Sequence, residues 1–412
     1  MEYENVLENL LNTKSIPMST FKIIEGPSSF FEIIKFYLKT SDSVSVCTLY
    51  FGSKQRDEEI FKLLSERQKN KRYTRVIIDS DRTMEENDSF EKFKKFGINN
   101  LISVQKKNIS KLLPFFLREM IQVQHSKMYI FDDNVIISGA NLGNRYFTNI
   151  VDRYFLIKNK ELAADLLEIV GRKHLCAHVF NPNDHFKNFS EKKNDGDFEK
   201  KIDLAEKEIL YPDYLKNGLE TLNNIKNTSI LNFTETSELS LLNFLFSQNF
   251  KEIYISTAYI NFPDEYFPLL NKKNVKIFLP SKKSNTFNGA SFYGNMVANS
   301  YSYSIYRTKK LLPNANFFIF DKKNYSFHKK GIWFINEKSV VSFCGSSNYN
   351  VRSTSRDMEL NHVILTEDKD MISSFISEIK FLEENSTFLK KNVWRNCFYF
   401  FRIFFFFMKS FM

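Results

Sequence analysis

The sequence predicts an α/β protein built as two similar halves. Three observations carry this. Short apolar runs of strand length alternate with segments of helical period along most of the chain. A polar stretch at 181–208, rich in Asn, Asp, Lys and Glu, separates two parts of similar size and reads as a linker. A set of His, Lys, Asn, Arg and acidic residues occurs once in each part, at matched offsets.

Taken in order, residues 1–20 begin with a short amphipathic segment that places Val6, Leu7, Leu10 and Leu11 on one side. The first half spans 21–180. In it SVCTLYF (45–51) predicts a buried strand and EEIFKLLSERQ (58–68) a helix. RVIID (75–79) and LISVQ (101–105) predict further strands. KMYIF (127–131) and VIISG (135–139) flank Asp132-Asp133-Asn134, whose residues favour turns, and predict a hairpin. Residues 181–227 form the linker, and 228–390 the second half. There EIYISTAYI (252–260), VKIFLP (275–280), NFFIF (316–320), GIWFI (331–335) and VVSFC (340–344) predict strands. SELSLLNFLFSQ (237–248) and DMISSFISEIKFLEE (370–384) predict helices.

The last segment, 391–412, is dominated by Phe. Arg395, Arg402 and Lys409 fall seven residues apart and make one cationic stripe on a helix. Cations at the headgroups and aromatic rings among the acyl chains predict a helix lying in a membrane interface. The N-terminus carries Glu2, Glu4 and Glu8 and no Arg, so it lacks the features of a mitochondrial presequence.

Composition excludes several classes. No stretch has the roughly 20 uninterrupted apolar residues of a membrane span. The four cysteines are scattered, without a C-x-x-C pair, which argues against a disulfide scaffold or zinc ribbon. With 58 basic against 48 acidic residues the net charge is +10, which favours an anionic partner without choosing among nucleic acid, lipid surface and phosphate substrate.

The repeat is the informative feature. Its first copy is His125, Lys127, Asn141 at the end of SGAN, Arg145 and Asp152. Its second is His328, Lys330, Asn348 at the end of GSSN, Arg352 and Glu359. Asn to Arg is four residues and Asn to acid eleven in both, and only the Lys-to-Asn hairpin differs in length. On a strand, His and Lys two residues apart project to one face. Two copies face to face would then converge two imidazoles, two ammonium groups and two amides on one point. Such a set suits a phosphate. A neutral imidazole can attack phosphorus, and a protonated one can donate to the leaving oxygen. Asp152 or Glu359 can hold an imidazole's second nitrogen and set its tautomer.

At these residues the chain resembles the phospholipase D superfamily: HSKMYIFD followed by SGAN is similar to its HxKxxxxD signature, with Asp132 as the acid. Within it, VQHSKMYIFDDNVIISGANLGNRYFTN, the DRYF that follows, FHKKGIW and GSSNYNVRSTSRDMEL resemble eukaryotic-type phosphatidylglycerophosphate synthases. So do VCTLYFG and the region of Asn285 to Gly289, and the likeness runs from about Phe21 to Glu384. Two positions depart from that family's pattern: Ile150 and Val151 replace a polar pair before the DRY triplet, and the family's usual presequence is missing. Ile335 stands where a second signature acid would fall, as the family's second motif also lacks it.

The resemblance implies two phospholipase D-like α-β-α sandwich halves related by pseudo-two-fold symmetry, with one shared active site. It implies transfer of the phosphatidyl group of CDP-diacylglycerol to glycerol 3-phosphate through a phosphatidyl-histidine. His125, Lys127, Asp132, His328 and Lys330 would be catalytic. Asn141, Asn348, Ser346, Arg145 and Arg352 would bind phosphate, and Asp152 and Glu359 would orient the imidazoles. No metal or cofactor and no nucleic acid are expected, membrane contact is expected through 391–412, and the family points to mitochondria. Alternatives are a phosphatidylserine synthase, phospholipase or nuclease of the same superfamily, or an inactive membrane-binding scaffold. The lysines 272, 273, 276, 282 and 283 read mainly as a solvated surface. His174, Cys176 and His178, on an expected helix, have no further ligand nearby and read as an ordinary helix end.

Overall fold

The computed structural model describes residues 16–79, 82, 88–98, 101–104, 122–173, 178–180, 223–287 and 292–389. The expected N-terminal amphipathic segment, most of the linker and the aromatic C-terminal helix lie outside these residues.

In chain order the first elements are β1 (Ile16–Pro17), β2 (Thr20–Ile23), α1 (Gly26–Thr40), β3 (Val44–Cys47), α2 (Gln55–Lys69), β4 (Thr74–Asp79), α3 (Asp88–Lys95) and β5 (Leu101–Val104). There follow β6 (Met128–Phe131), β7 (Asn134–Ser138), a 3-10 turn (Asn144–Phe147), β8 (Ile150–Val151), β9 (Tyr154–Lys158), α4 (Lys160–Lys173) and β10 (His178–Phe180). Beyond the linker come β11 (Asn223–Asn224), β12 (Thr228–Thr234), α5 (Glu235–Ser247), β13 (Glu252–Ser256), α6 (Tyr266–Leu270), β14 (Val275–Pro280), α7 (Phe292–Leu311) and β15 (Asn316–Phe320). The last are β16 (Ser326–Phe327), β17 (Gly331–Ile335), β18 (Val340–Gly345), α8 (Val351–Ser355), β19 (Leu360–Thr366), α9 (Lys369–Glu384) and β20 (Ser386–Phe388).

The described residues form two nine-stranded sheets with one topology. One runs β11-β2-β9-β7-β6-β3-β4-β5-β10 and the other β1-β12-β19-β18-β17-β13-β14-β15-β20. Each has a central parallel trio, β3-β4-β5 in one and β13-β14-β15 in the other, with antiparallel strands on both sides. The expected halves are therefore present as a structural repeat. Strands β3 and β13 end earlier than their apolar runs suggested, at Cys47 and Ser256, so Thr48–Phe51 and Thr257–Ile260 leave the sheets as loops. Helices α1 and α7 cover stretches that carried no clear signal in the sequence. His178 lies on β10, paired with β5, so the helix expected to carry it ends sooner.

The chain divides into two compact units. One comprises 20–148 and 154–224; the other comprises 1–19, 149–153 and 225–412. The segment 149–153, expected in the first half, belongs with the second because β8 pairs in parallel with β16 and His328 N donates to Val151 O at 2.9 Å. Likewise β1 pairs with β12 rather than with the strand that follows it.

The core of the second unit lies between the β12–β15 sheet and α5 and α6. There Leu241, Leu242, Leu245, Phe246, Phe334 and Phe343 are buried together. Phe343 packs edge-on against Phe233 and Tyr349, with ring centroids 4.9 and 5.3 Å away. Its truncation in Phe343→Ala is expected to destabilise this unit by about 3–5 kcal/mol through lost burial and a cavity, read as a lower denaturation midpoint in urea.

Candidate active site

The second copy of the repeat is assembled within one unit. His328 and Lys330 lie in the extended run between β16 and β17 rather than on a strand. His328 N bonds Val151, and Ser256 Oγ donates to Lys329 O at 2.7 Å, which pins the run at the C-terminal end of β13. His328 Nδ1 stands 2.7 Å from Asp152 Oδ2. Lys330 Nζ stands 2.7 Å from Nδ1 and 3.0 Å from Nε2 of the same ring, and 3.9 Å from Asp152. All three side chains are buried. The carboxylate that serves the second histidine thus comes from the first copy of the repeat, carried over by the segment 149–153.

The electrostatics follow. Burial pushes the Asp152 carboxyl up, but the charges of Lys330 and His328 beside it outweigh this and hold it below the usual carboxylate range. It stays ionised and favours the Nδ1–H tautomer. Burial lowers the Lys330 ammonium to about 8, against the opposing pull of Asp152 and Glu359.

Next to Asp152, Arg153 is clamped. Its Nε and Nη2 bond Glu378 at 3.2 and 2.7 Å, and Nη1 and Nη2 donate to Phe343 O and Ser342 Oγ. Its guanidinium lies 4.3 Å from the Trp333 ring centroid. Lys329, the residue between His328 and Lys330, meets the same Glu378 at 3.1 Å. One carboxylate on α9 therefore ties down the neighbours of both Asp152 and His328. Gly331 leaves room for this: a Cβ there would fall 2.6 Å from Arg153 Nη1 and 2.8 Å from the Trp333 ring.

The GSSN turn is braced by buried acids. Ser346 Oγ donates to Glu359, Ser347 Oγ donates to Glu238 at 2.7 Å, and Asn361 Nδ2 donates to Glu238 at 2.9 Å. Burial, then the nearby Glu359 charge, raises the Glu238 carboxyl well above its ordinary value. Asn348 is buried, and its Oδ1 has no hydrogen-bond partner. Arg352 Nε bonds Asp357 at 2.6 Å. Ser346 and Arg352, expected at phosphate, are thus held by carboxylates.

The first copy lies in the other unit. Lys127 is buried and its Nζ donates to His125 O at 2.6 Å, while His125 is only half-buried. Asn141 Oδ1 accepts from Leu49 N at 3.2 Å and Thr48 Oγ1 at 3.3 Å, and Nδ2 donates to Tyr146 Oη at 3.4 Å. Arg145 is exposed. Asp132 is a correction. It lies five residues after Lys127, roughly 16 Å along an extended chain, at the far end of β6. Its carboxylate accepts from Ser43 N at 2.8 Å and Asp42 N at 3.3 Å, and its φ is 54°. It braces the β6–β7 turn and is not grouped with His125 and Lys127. That explains Ile335 in the second copy: the position is structural, and there Ile335 O accepts from Lys251 N instead.

The lysines 272, 273 and 276 lie at the start of β14, where Lys273 bonds Gln248 O and Lys276 bonds Glu383. Lys282 and Lys283 are exposed beyond its other end, beside the histidine run, where Phe327 N bonds Ser284 O. No group of metal-binding side chains occurs among the described residues, and His174 and Cys176 lie outside them. Sequence reasoning missed the Arg153–Glu378–Lys329 clamp and the pair Thr48 and Thr257. Thr257 Oγ1 donates to Asn348 O at 2.9 Å, as Thr48 bonds Asn141. The signal was present as C-T-L-Y against S-T-A-Y at the ends of β3 and β13.

Comparison with known proteins agrees with this architecture. A family model described as cardiolipin synthase, PLD-like domain, matches residues 33–173. The solved phosphatidylserine synthase of Haemophilus influenzae superposes with a TM-score of 0.69 at 20% identity, covering 94% of this chain and 92% of that one. The chain is similar to the phospholipase D superfamily in this matched domain and in its fold. It is also similar to proteins named CDP-diacylglycerol–glycerol-3-phosphate 3-phosphatidyltransferase. The one from Gallus gallus, named as mitochondrial, is 24% identical over 88% of this chain and 77% of its own length. That of Schizosaccharomyces pombe is 23% identical over 88% of each.

Glu378→Gln, which keeps the side chain's size but removes its charge, and Gly331→Ala, which displaces Arg153, are each expected to lower kcat about 10- to 100-fold through misplacement of Asp152 and His328. KM should change little. Steady-state kinetics on folded variants checks the split.

Proposed function

We propose that the protein transfers the phosphatidyl group of CDP-diacylglycerol to glycerol 3-phosphate, giving phosphatidylglycerophosphate and CMP. The observation that carries the reading is a histidine held by an ionised carboxylate and a buried lysine, on a duplicated fold whose relatives bear that activity in their names. In this scheme His125 attacks the phosphorus nearer the lipid, and the bond from that phosphorus to the oxygen bridging to CMP breaks. His328 protonates the departing oxygen. A phosphatidyl-histidine remains. Glycerol 3-phosphate then enters, His328 takes the proton of its attacking hydroxyl, and the P–N bond breaks to free His125. Lys127, Lys330, Asn141 and Asn348 hold the phosphoryl oxygens and favour the more crowded, more charged transition state. Asp152 orients His328 and stabilises its protonated form. Arg145 offers an exposed cation for the acceptor's phosphate.

The site of action is a membrane surface, because the donor is a lipid, and the named mitochondrial relatives suggest that organelle. No helix among the described residues is long and apolar enough to cross a membrane. Contact through 391–412 is the route expected from the sequence.

The test incubates purified protein with CDP-diacylglycerol micelles and radiolabelled glycerol 3-phosphate, with serine and water as parallel acceptors and chelator present. Label should enter the lipid phase. His125→Ala and His328→Ala should each lower the rate by at least about 10²- to 10⁴-fold. CMP release with serine or water alone would refute the acceptor, and a full rate in either variant would refute the double-histidine scheme.

The pH profile offers a second check. Lys330 is charged below about 8 and neutral above it, so kcat should fall as pH rises through about 8. Asp152 pulls the Lys330 pKa upward, and Asp152→Asn should therefore move this alkaline limb to lower pH. A pH series on both proteins reads the shift.

A further inference from the structure

We propose that Tyr259 and Phe287 form the surface on which the pyrimidine base of the departing nucleotide stacks. The inference rests on the reading above, in which His328 protonates the leaving CMP. If His328 serves that oxygen, the nucleotide lies on the His328 side, and the unit's aromatic side chains there are distinctive. The Tyr259 ring stands edge-on to the imidazole with centroids 5.9 Å apart. Tyr259 packs in turn on Phe287 and Tyr301, at 5.1 and 5.0 Å. Tyr301 is buried and backs the group, whereas Tyr259 and Phe287 are only half-buried.

The backbone fixes these rings. Tyr259 follows β13 and Phe287 follows β14, both at the C-terminal ends of parallel strands, where open α/β sheets bind ligands. Asn350 Nδ2 donates to Tyr259 O at 3.1 Å, Tyr259 Oη bonds Thr286, and Phe287 N donates to Asn285 Oδ1 at 2.9 Å. Exposed Lys282 and Lys283 lie in the same loop, suited to a nucleotide's phosphate. The other copy of the repeat differs at the matching position. Tyr50 stands two residues after Thr48 as Tyr259 does after Thr257, but the Arg82 guanidinium lies over its ring at 5.3 Å.

The test measures KM for CDP-diacylglycerol and the inhibition constant of free CMP in wild type, Tyr259→Leu, Phe287→Leu and Tyr259→Phe. Stacking predicts that both constants rise about tenfold in each leucine variant and stay near wild type in Tyr259→Phe, which keeps the ring. If Tyr259→Leu does not fold, half-exposed Phe287 still carries the comparison. A higher KM with an unchanged CMP constant would overturn the proposal and assign these rings to the lipid chains. Unchanged constants in both leucine variants would overturn it while leaving the transfer reaction standing. A wild type that releases no CMP would overturn both.

Discussion

The arrangement around His328 depends on a buried charge network seeded by two adjacent residues, Asp152 and Arg153. Asp152 faces the imidazole, and Arg153 faces Glu378, which also holds Lys329. Buried ions cost desolvation energy that a paired geometry offsets only when hydrogen bonds are near complete. Here they are: Arg153 bonds a carboxylate twice, a backbone carbonyl and a hydroxyl, with its flat face on Trp333. Such a network gains less in stability than in definition. Moving any one charge leaves another unpaired, so His328 has few alternative positions. The segment 149–153 leaves the strand order of its own half to make these contacts, and β8 has no other sheet to join among the described residues.

Each repeat has two parts that match between the copies. The His-x-Lys run lies where a central strand begins, and the Asn turn lies where the next hairpin strand ends, so hairpin length does not alter their neighbourhood. That is why four extra residues between Lys330 and Asn348, compared with Lys127 and Asn141, leave the sheet order unchanged. Gly345, at φ 140° and with Leu360 O only 2.6 Å from where a Cβ would fall, lets the second turn press against β19.

Much of this was legible in the sequence, because strand-length apolar runs such as VKIFLP and RVIID have few other folded uses, and matched offsets repeat for a reason. The unread parts have physical causes. The strands β3 and β13 stop short because Thr48 and Thr257 spend their hydroxyls on the Asn turns, which an apolar run cannot announce. Asp132 matched a signature but braces a turn, because its nearest donors are the amides of Asp42 and Ser43. Glu378 lies 225 residues from Arg153 on a helix that reads as merely amphipathic, and nothing local marks it as the clamp's centre. The ownership of 149–153 was equally hidden, since a two-residue strand carries no period.

The scheme proposed above gives the two histidines unequal jobs, and the departures from the repeat are where that difference can arise. His328 has a carboxylate on one ring nitrogen and a lysine lowered by burial beside it, a setting that suits the proton transfers proposed for it. His125 is more exposed than His328, which suits the attacking role proposed for it. Of the tyrosines two residues after each Thr, Tyr50 meets Arg82, and Tyr259 meets Phe287 and Tyr301. A cation beside a polar ring favours a small anion, whereas stacked rings favour a flat one. On the proposed scheme the acceptor and the leaving nucleotide differ in this same way, so substitutions outside the His-x-Lys-Asn core suffice to give a duplicated site its direction while leaving the chemistry of the core unaltered.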